Sequence, residues 1–313
     1  MKKILIALGG NALQEPGGEC TADAQLATVE KACEHIVSVI EQGYQVVVAH
    51  GNGPQVGRLM LQNEHSASIT PAMPLDVCIA MSQGMIGYHI QQALGKVLRG
   101  RGKESKVSTL VTQIVVDKND PMFKNPTKPI GLFYTEEEAK AITAEKGYPM
   151  KEDSGRGWRR VVASPLPVEI IELDAVKCLM NSGFTVVAVG GGAVPVVKDE
   201  AGNFSGVAAV VDKDFAGEKL AEDVDADTLL ILTAVEKAYL NFQKPDQKDI
   251  DTVSADQADK YIAEGHFAPG SMLPKVEAAV KFARSAPGRR GIITTPDKAV
   301  EALAGKTGTI VVG

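Results

Sequence analysis

Several large protein classes leave marks that this sequence does not carry. Aromatic residues make up 5% of its 313 positions, too few for platforms that stack on nucleic-acid bases. No basic block interrupts a formal net charge of -6, which argues against a nucleic-acid or membrane-surface partner. The four cysteines, Cys20, Cys33, Cys78 and Cys178, form no CxxC pair and fit no zinc-site spacing. Cys33 and Cys178 fall on apolar faces of predicted helices and are expected as buried thiols, consistent with a reducing cytoplasm. The longest apolar stretch, residues 184–197, is broken by glycines and Pro195 and is too short to span a bilayer. The opening Met1-Lys2-Lys3 and its apolar run end at Gly9-Gly10, too early for a secretory h-region, so a cytoplasmic location is expected.

Common catalytic signatures are missing too. Gly305-Lys306-Thr307 lacks the upstream glycine of a P-loop, because that position is Val300. Gly51, Gly53 and Gly57 miss the dinucleotide GxGxxG spacing by one residue, and no acidic residue follows at the required distance. There is no GxSxG elbow and no HExxH, and the five histidines are scattered.

What is present is an alternation of strands and helices. Residues 3–8, 46–50, 106–116, 185–189, 229–232, 292–294 and 309–312 read as strands. Residues 194–197 and 207–211 read as the two arms of a hairpin around the turn 198–203. Helical periodicity marks 24–42, 74–98, 173–181, 215–223, 255–263, 274–284 and 297–303. Strands without polar alternation are covered on both faces, so an α/β fold is expected: one three-layer α/β/α sandwich around a mainly parallel open sheet. Residues 117–164 break the pattern. Four X-Pro steps and one short helix near 136–146 mark an inserted, protruding subdomain of the kind that forms lids.

Three glycine-rich loops follow predicted strands: Gly9-Gly10-Asn11, Gly51-Asn52-Gly53 and Gly190-Gly191-Gly192. Glycine at a strand exit admits a ligand close to the backbone, and such exits are where parallel sheets bind ligands. Any one of them also reads as a tight turn. Asp212-Lys213-Asp214 stands between an apolar run and a helix. A lysine between carboxylates suits phosphoryl transfer, which needs fixed positive charge around a developing anion. By itself the triplet reads first as a solvated charged turn, and only the rest of the chain favours the site. Lys275 sits just after Pro274 in the first turn of a helix, where its charge opposes the helix dipole unless an anion is near. Lys128 is stiffened by Pro126 and Pro129. Tyr239 and Met272 are candidates for an adenine slot, with core packing as the other reading of each.

Taken in order, Ala7-Leu8-Gly9-Gly10-Asn11-Ala12, His50 through Gly57, Asn125 through Gly131, Gly190-Gly191-Gly192, Val211 through Ala216 and His266 through Lys275 resemble the carbamate kinases of the amino-acid-kinase superfamily from end to end. The resemblance implies the amino-acid-kinase fold and reversible, magnesium-dependent phosphoryl transfer between ATP and carbamate, giving ADP and carbamoyl phosphate. It implies ATP synthesis in fermentative arginine catabolism, through the arginine deiminase pathway, as the usual direction, and a homodimer as the usual assembly. One domain spanning 1–313 is implied, with a substrate lobe over roughly 1–183, a nucleotide lobe over roughly 184–313 and the 117–164 lid.

Carried onto this chain, Lys128, Lys213, Asp214 and Lys275 are implied as catalytic. Gly9, Gly10, Asn11, Gly51, Asn52, Gly53 and Arg159 are implied for substrate binding, with Arg159 also reading as a surface arginine. Gly191, Gly192, Asp212, Tyr239 and Met272, with Lys213 and Lys275, are implied for the nucleotide, and magnesium is expected near Asp212. Many superfamily members carry a lysine where this chain has Ala7, so the missing charge is expected from Lys128. Another superfamily kinase, a carbamoyl-phosphate-forming biosynthetic homologue and a silent sensor of the same fold are the competing readings.

Overall fold

The computed structural model describes residues 1–15, 17–153, 155 and 157–313, and for Asn11 only the backbone. The chain begins with β1 (Lys3–Leu8), α1 (Ala22–Glu41), β2 (Gln45–His50), α2 (Gly53–His65), α3 (Leu75–Gly100), β3 (Val107–Thr109) and β4 (Gln113–Val116). An excursion follows, made of β5 (Lys128–Tyr134), α4 (Glu136–Lys146), β6 (Met150–Glu152) and β7 (Trp158–Val162). Next come β8 (Pro167–Ile170), α5 (Leu173–Asn181), β9 (Thr185–Val187), β10 (Val194–Lys198), β11 (Phe204–Gly206), α6 (Lys213–Asp223) and β12 (Thr228–Leu232). The remainder is β13 (Ala238–Leu240), β14 (Lys248–Ile250), β15 (Thr252–Ser254), α7 (Ala255–Ala263), α8 (Leu273–Ser285), β16 (Arg290–Thr294), α9 (Ala299–Leu303) and β17 (Thr309–Val312).

The main sheet has eight strands in the order β15-β17-β16-β12-β1-β2-β9-β3. It is parallel from β16 to β3, and β17 runs antiparallel to β16, with β15 parallel to β17 at that edge. Side chains of a strand alternate between faces. Ile4, Ile6 and Leu8 of β1 therefore enter one core with α1, α3 and α9. Leu5 and Ala7 enter the other, with α5, α6, α7 and α8. This is the expected three-layer sandwich. Its central strands are fully buried because helices cover both faces.

The sequence reading missed a second sheet, β11-β10-β4-β8. Residues 106–116 are not one strand. β3 ends in the main sheet, the chain bends through 110–112, and β4 starts the second sheet. Residues 207–211 are not a strand either. The hairpin partner of β10 is β11, and the apolar run meets β10 only where Val207 N–H donates to the Pro195 carbonyl at 3.1 Å, with an isolated bridge between Ala209 and Ala163 beyond it. Ala209, Val210 and Val211 are buried because the cores close around them, whereas Val207 is half-buried and Ala208 exposed. Cys33 is buried as expected, but Cys178 is exposed, because α5 buries Val176 and Met180 on the opposite side.

The 117–164 excursion carries its own three-stranded antiparallel sheet, β5-β7-β6, beside α4. Thr135 and Glu138 form a reciprocal capping box at the start of α4, and Gly147 ends it in the left-handed conformation. The excursion seats on α2 by close backbone approach: a Cβ placed on Gly57 would lie 2.6 Å from the Gly131 Cα. Glu64 of α2 reinforces the seat with Lys146 at 2.7 Å and Arg160 at 3.9 Å. Among the described residues no helix is long and apolar enough to cross a membrane.

Candidate active site

Strand exits assemble the site. Gly9 and Gly51 follow the neighbouring strands β1 and β2, on the carboxyl side of the parallel sheet. Gly9 N–H donates to the Leu232 carbonyl at 3.1 Å, and Gly51 N–H donates to the Leu8 carbonyl at 3.1 Å. Gly9 has no room for a side chain, and Gly51 has room only if the Lys213 stem shifts. A Cβ on Gly9 would stand 2.9 Å from the Leu232 oxygen, and one on Gly51 would stand 3.1 Å from the Lys213 Cδ. The Lys213 stem thus lies directly over the second glycine loop. Gly192, at φ +90°, packs so tightly that a Cβ would meet the Val211 oxygen at 1.9 Å.

Asp212 caps α6, its Oδ1 accepting from Asp214 N–H at 2.9 Å. That cap places Lys213 and Asp214 in the first turn. Asp214 is 1% exposed, and its two oxygens hold two lysines. Lys213 Nζ donates to Oδ1, and Lys275 Nζ, from the first turn of α8, donates to Oδ2 at 3.1 Å. Lys275 Nζ also donates to the Ser271 carbonyl at 3.0 Å. The unfavourable placement of Lys275 at a helix N-terminus therefore already has its anion in Asp214. Lys128, at the start of β5, donates to Asp212 Oδ2. Three lysines from three separate segments meet two buried carboxylates, leaving an excess positive charge for an anionic ligand.

The electrostatics follow. Burial opposes ionisation of Asp212, but the Lys128 and Lys213 ammonium groups outweigh it and bring its carboxyl down to about 2. Burial pulls Lys213 below the ordinary lysine value, and Asp214 works against that. His50, under the second glycine loop, is neutral: burial lowers it to about 4, although Nδ1 lies 2.8 Å from the Gly51 carbonyl and donates to it.

Two cavities flank the lysines. One is lined by Gly51, Asn52, Gly53, Lys128, Gly191 and Asp214. The other is lined by Gly9, Thr233, Ala234, Ser271 and Asp297. Gly10, Lys213 and Lys275 line both, so the wall between the chambers is the pair of lysines that Asp214 holds. Thr233, Ala234 and Asp297 were missed from sequence. Two of them follow β12, whose exit has no glycine to mark it.

Not every anticipated residue arrives here. Arg159 is drawn into the excursion. Its Nη1 donates to Asp153 Oδ2 at 3.1 Å, its Nη2 donates to the Gly131 carbonyl at 3.0 Å, and it lies over the Phe133 ring. Tyr239 belongs to the β13–β14 ribbon and stacks on Phe242 at 5.6 Å. Met272 precedes α8 and packs against the core. None of these three lines either cavity. The Asn11 backbone forms a short 3-10 turn with Gly10 and Ala12, and its side chain lies outside the description. Ala7 is fully buried beneath α6, its Cβ 3.8 Å from where a Gly217 Cβ would stand. Among the described residues no three His, Cys, Asp or Glu side chains cluster to hold a metal ion.

Comparison with known proteins agrees with this geometry. The model of the amino acid kinase family matches residues 2–294. A carbamate kinase of Clostridium perfringens is 52% identical over 313 residues, covering 99% of each chain. The carbamate kinase-like protein YqeA of Escherichia coli is 52% identical with the same coverage. Among solved structures, the carbamate kinase of Giardia lamblia bound to AMP-PNP superimposes with a TM-score of 0.92 at 44% identity, over 99% of this chain and 98% of that one. With identity above half across its whole length, the chain belongs to the amino acid kinase family, among the carbamate kinases.

Proposed function

We propose that the chain catalyses reversible phosphoryl transfer between ATP and carbamate, interconverting these with ADP and carbamoyl phosphate. The observation that carries this reading is the Lys213–Asp214–Lys275 wall between two cavities, met from the excursion by Lys128. Carbamate fits the chamber beside Gly51–Gly53, and the nucleotide fits the chamber beside Thr233 and Ser271. A carbamate oxygen attacks the γ-phosphorus as its bond to the ADP oxygen breaks. In reverse, a β-phosphate oxygen of ADP attacks carbamoyl phosphate and carbamate leaves. Carbamate is already an anionic nucleophile, so no general base is required. Lys213 and Lys275 neutralise the transferring group from the core side and Lys128 from the excursion side, while glycine-loop N–H groups hold its oxygens.

The donor set fits a divalent ion carried chiefly by the nucleotide. The two carboxylates at the site are engaged by lysines, and magnesium in kinases is held by one or two carboxylates together with substrate phosphates and water. Asp212 is the carboxylate we assign to magnesium, which supplies charge neutralisation at the phosphates. Residues 117–164 act as a lid that brings Lys128 to the site, between a substrate lobe over roughly 1–183 and a nucleotide lobe over roughly 184–313. ATP synthesis in arginine catabolism, in the cytoplasm, is the direction and setting we assign.

We also place a homodimer contact on α3. Val77, Met81 and Tyr88 stand exposed along one side of that helix, around Gly84. Sedimentation should give a dimer for the native chain and a monomer for Met81→Arg. A monomeric native chain overturns this assignment.

The primary test is coupled ATP formation from ADP, magnesium and carbamoyl phosphate. Rapid ATP production is expected, and it should be lost in Lys128→Ala. A folded native protein that makes no ATP overturns the reading.

A further inference from the structure

The third glycine loop is held in an unfavourable backbone conformation. Val189 lies in the left-handed region at φ 47°, ψ 35°, a position rarely taken by a β-branched residue. Ala193 has φ 63°, ψ 170°, a region that only glycine enters freely. Such conformations persist where the surroundings over-determine them, and they concentrate at functional sites.

The surroundings here are three buried polar residues, none of which lines either cavity. Val189 N–H donates to Thr112 Oγ1 at 2.8 Å. The Thr112 hydroxyl donates its one proton to Gln83 Oε1 at 3.1 Å, which leaves a lone pair for Val189. Gln83 closes around the Thr112 backbone as well. Its Oε1 accepts from Thr112 N–H at 2.9 Å, and its Nε2 donates to the Thr112 carbonyl at 3.0 Å. That carbonyl also accepts from Val194 N–H at 2.9 Å, so Thr112 grips the loop on both sides of the strained residues.

The preceding residue of α3 serves the second loop. Ser82 Oγ accepts from Asn52 Nδ2 at 2.8 Å and donates to the Ile79 carbonyl at 2.7 Å. The two loops then interlock: a Cβ on Gly191 would lie 2.2 Å from Asn52 Nδ2, and one on Gly190 would lie 2.3 Å from His50 Nε2. One turn of one helix therefore fixes the backbones that we assign to the transferring group.

We propose that Ser82, Gln83 and Thr112 are positioning residues for phosphoryl transfer. They hold residues 189–193 in the strained turn and lock that turn against Asn52. The proposal rests on the phosphoryl-transfer reading above. Because loss of about 1 Å in placement costs about 100-fold in rate, a loosened turn is felt in catalysis without loss of the fold.

The test compares Thr112→Val, which keeps the shape but loses the acceptor, with Thr112→Ser, which keeps it. Each is measured for ATP formation and for amide exchange across 188–194. Thr112→Val should lower kcat at least about tenfold and raise the KM for carbamoyl phosphate, leave the KM for ADP within about twofold, and speed exchange in the turn. Thr112→Ser should match the native chain throughout. In an Ala193→Gly background, where the turn is less strained, the loss on Thr112→Val should shrink to about threefold. Ser82→Ala supplies a milder second variant, expected to raise the KM for carbamoyl phosphate with its melting temperature kept.

Unchanged kinetics in Thr112→Val overturn the proposal. Equal loss in Thr112→Val and Thr112→Ser overturns it too. If Thr112→Val does not fold, unchanged kinetics in Ser82→Ala overturn it. A native chain that makes no ATP at all overturns the phosphoryl-transfer reading itself, a result separate from any of these.

Discussion

Lys213 and Lys275 share one anchor, and Lys128 has another. Asp214 is inaccessible, and the lysines it holds come from α6 and α8, which pack together in the same core. Lys128 comes from the excursion, its side chain is 27% exposed, and it crosses to Asp212 on the main body. Removing a partner from a buried charge cluster leaves an uncompensated charge, whereas a more exposed ion pair contributes little to stability. The two arrangements thus divide the work. One fixes charge at the wall between the cavities from within the core, and the other brings charge to the site from the excursion.

The sharpest way to break this comparison is Lys213→Ala. We expect about 100- to 1,000-fold loss of kcat, the usual effect of removing one preorganised charge stabiliser, with weakened ADP binding and the fold retained. Near-native turnover in the folded variant would sink the scheme. Lys128→Ala should lose kcat on the same scale, about 100- to 1,000-fold, but keep native ADP affinity by calorimetry, because Lys128 lines the chamber beside Gly51–Gly53 and not the one beside Thr233. Equal weakening of ADP binding in both variants would erase the distinction.

Gly57→Ala probes the seat of the excursion without touching a charge. A methyl group there must displace Gly131, three residues from Lys128. We expect kcat to fall about tenfold with little change in melting temperature, since placement errors act on rate before stability. A variant as active as the native chain would show that the seat does not govern Lys128.

The smallest effect concerns the floor of the second glycine loop. His50 stays neutral in the folded state down to about 4, and in the unfolded chain it takes up a proton near about 6.5. Between those values the unfolded state binds more protons, so stability falls as pH drops through the window, by up to about 3 kcal/mol. Urea melts at pH 7 and pH 5 should differ more for the native chain than for His50→Gln. Identical pH dependence in both would remove His50 from the account.

Much of the architecture was legible in the sequence because it is written in local signals. The bounds of α4, α5 and α7 follow from capping residues, periodicity and closing glycines. The glycine loops were found because their glycines stand at strand exits. Local signals also misled. Val207 to Val211 are apolar enough for a strand, yet they form no ladder, only one hydrogen bond from Val207 to β10 and one isolated bridge at Ala209. Periodicity reports burial, and a connection enclosed between cores is as buried as a strand. The bend at 110–112 was invisible for a related reason: apolar residues continue through it while the chain changes sheets.

The positioning residues did leave a trace that a closer reading could have used. Ser82 and Gln83 interrupt the apolar face of α3 between Ile79 and Ile86. Two adjacent polar residues on a buried stripe require partners, and here the partners are Asn52 of the second glycine loop and Thr112 beside the third. Arg159 and Tyr239 show the reverse limit. Their residue types suit the proposed chemistry, but contacts within the excursion and the β13–β14 ribbon claim them first.

Composition and pattern were sufficient to establish a parallel α/β sheet, glycine-lined exits and a charged triplet opening a helix, since each depends on neighbours within a few residues. Which lysine meets which carboxylate was settled only in three dimensions. Lys128 and Asp212 are 84 residues apart, and Asp214 and Lys275 are 61 apart. Nothing in local propensity or spacing encodes such pairings. They come into being when the sheet brings its strand exits together and the excursion folds back over α2.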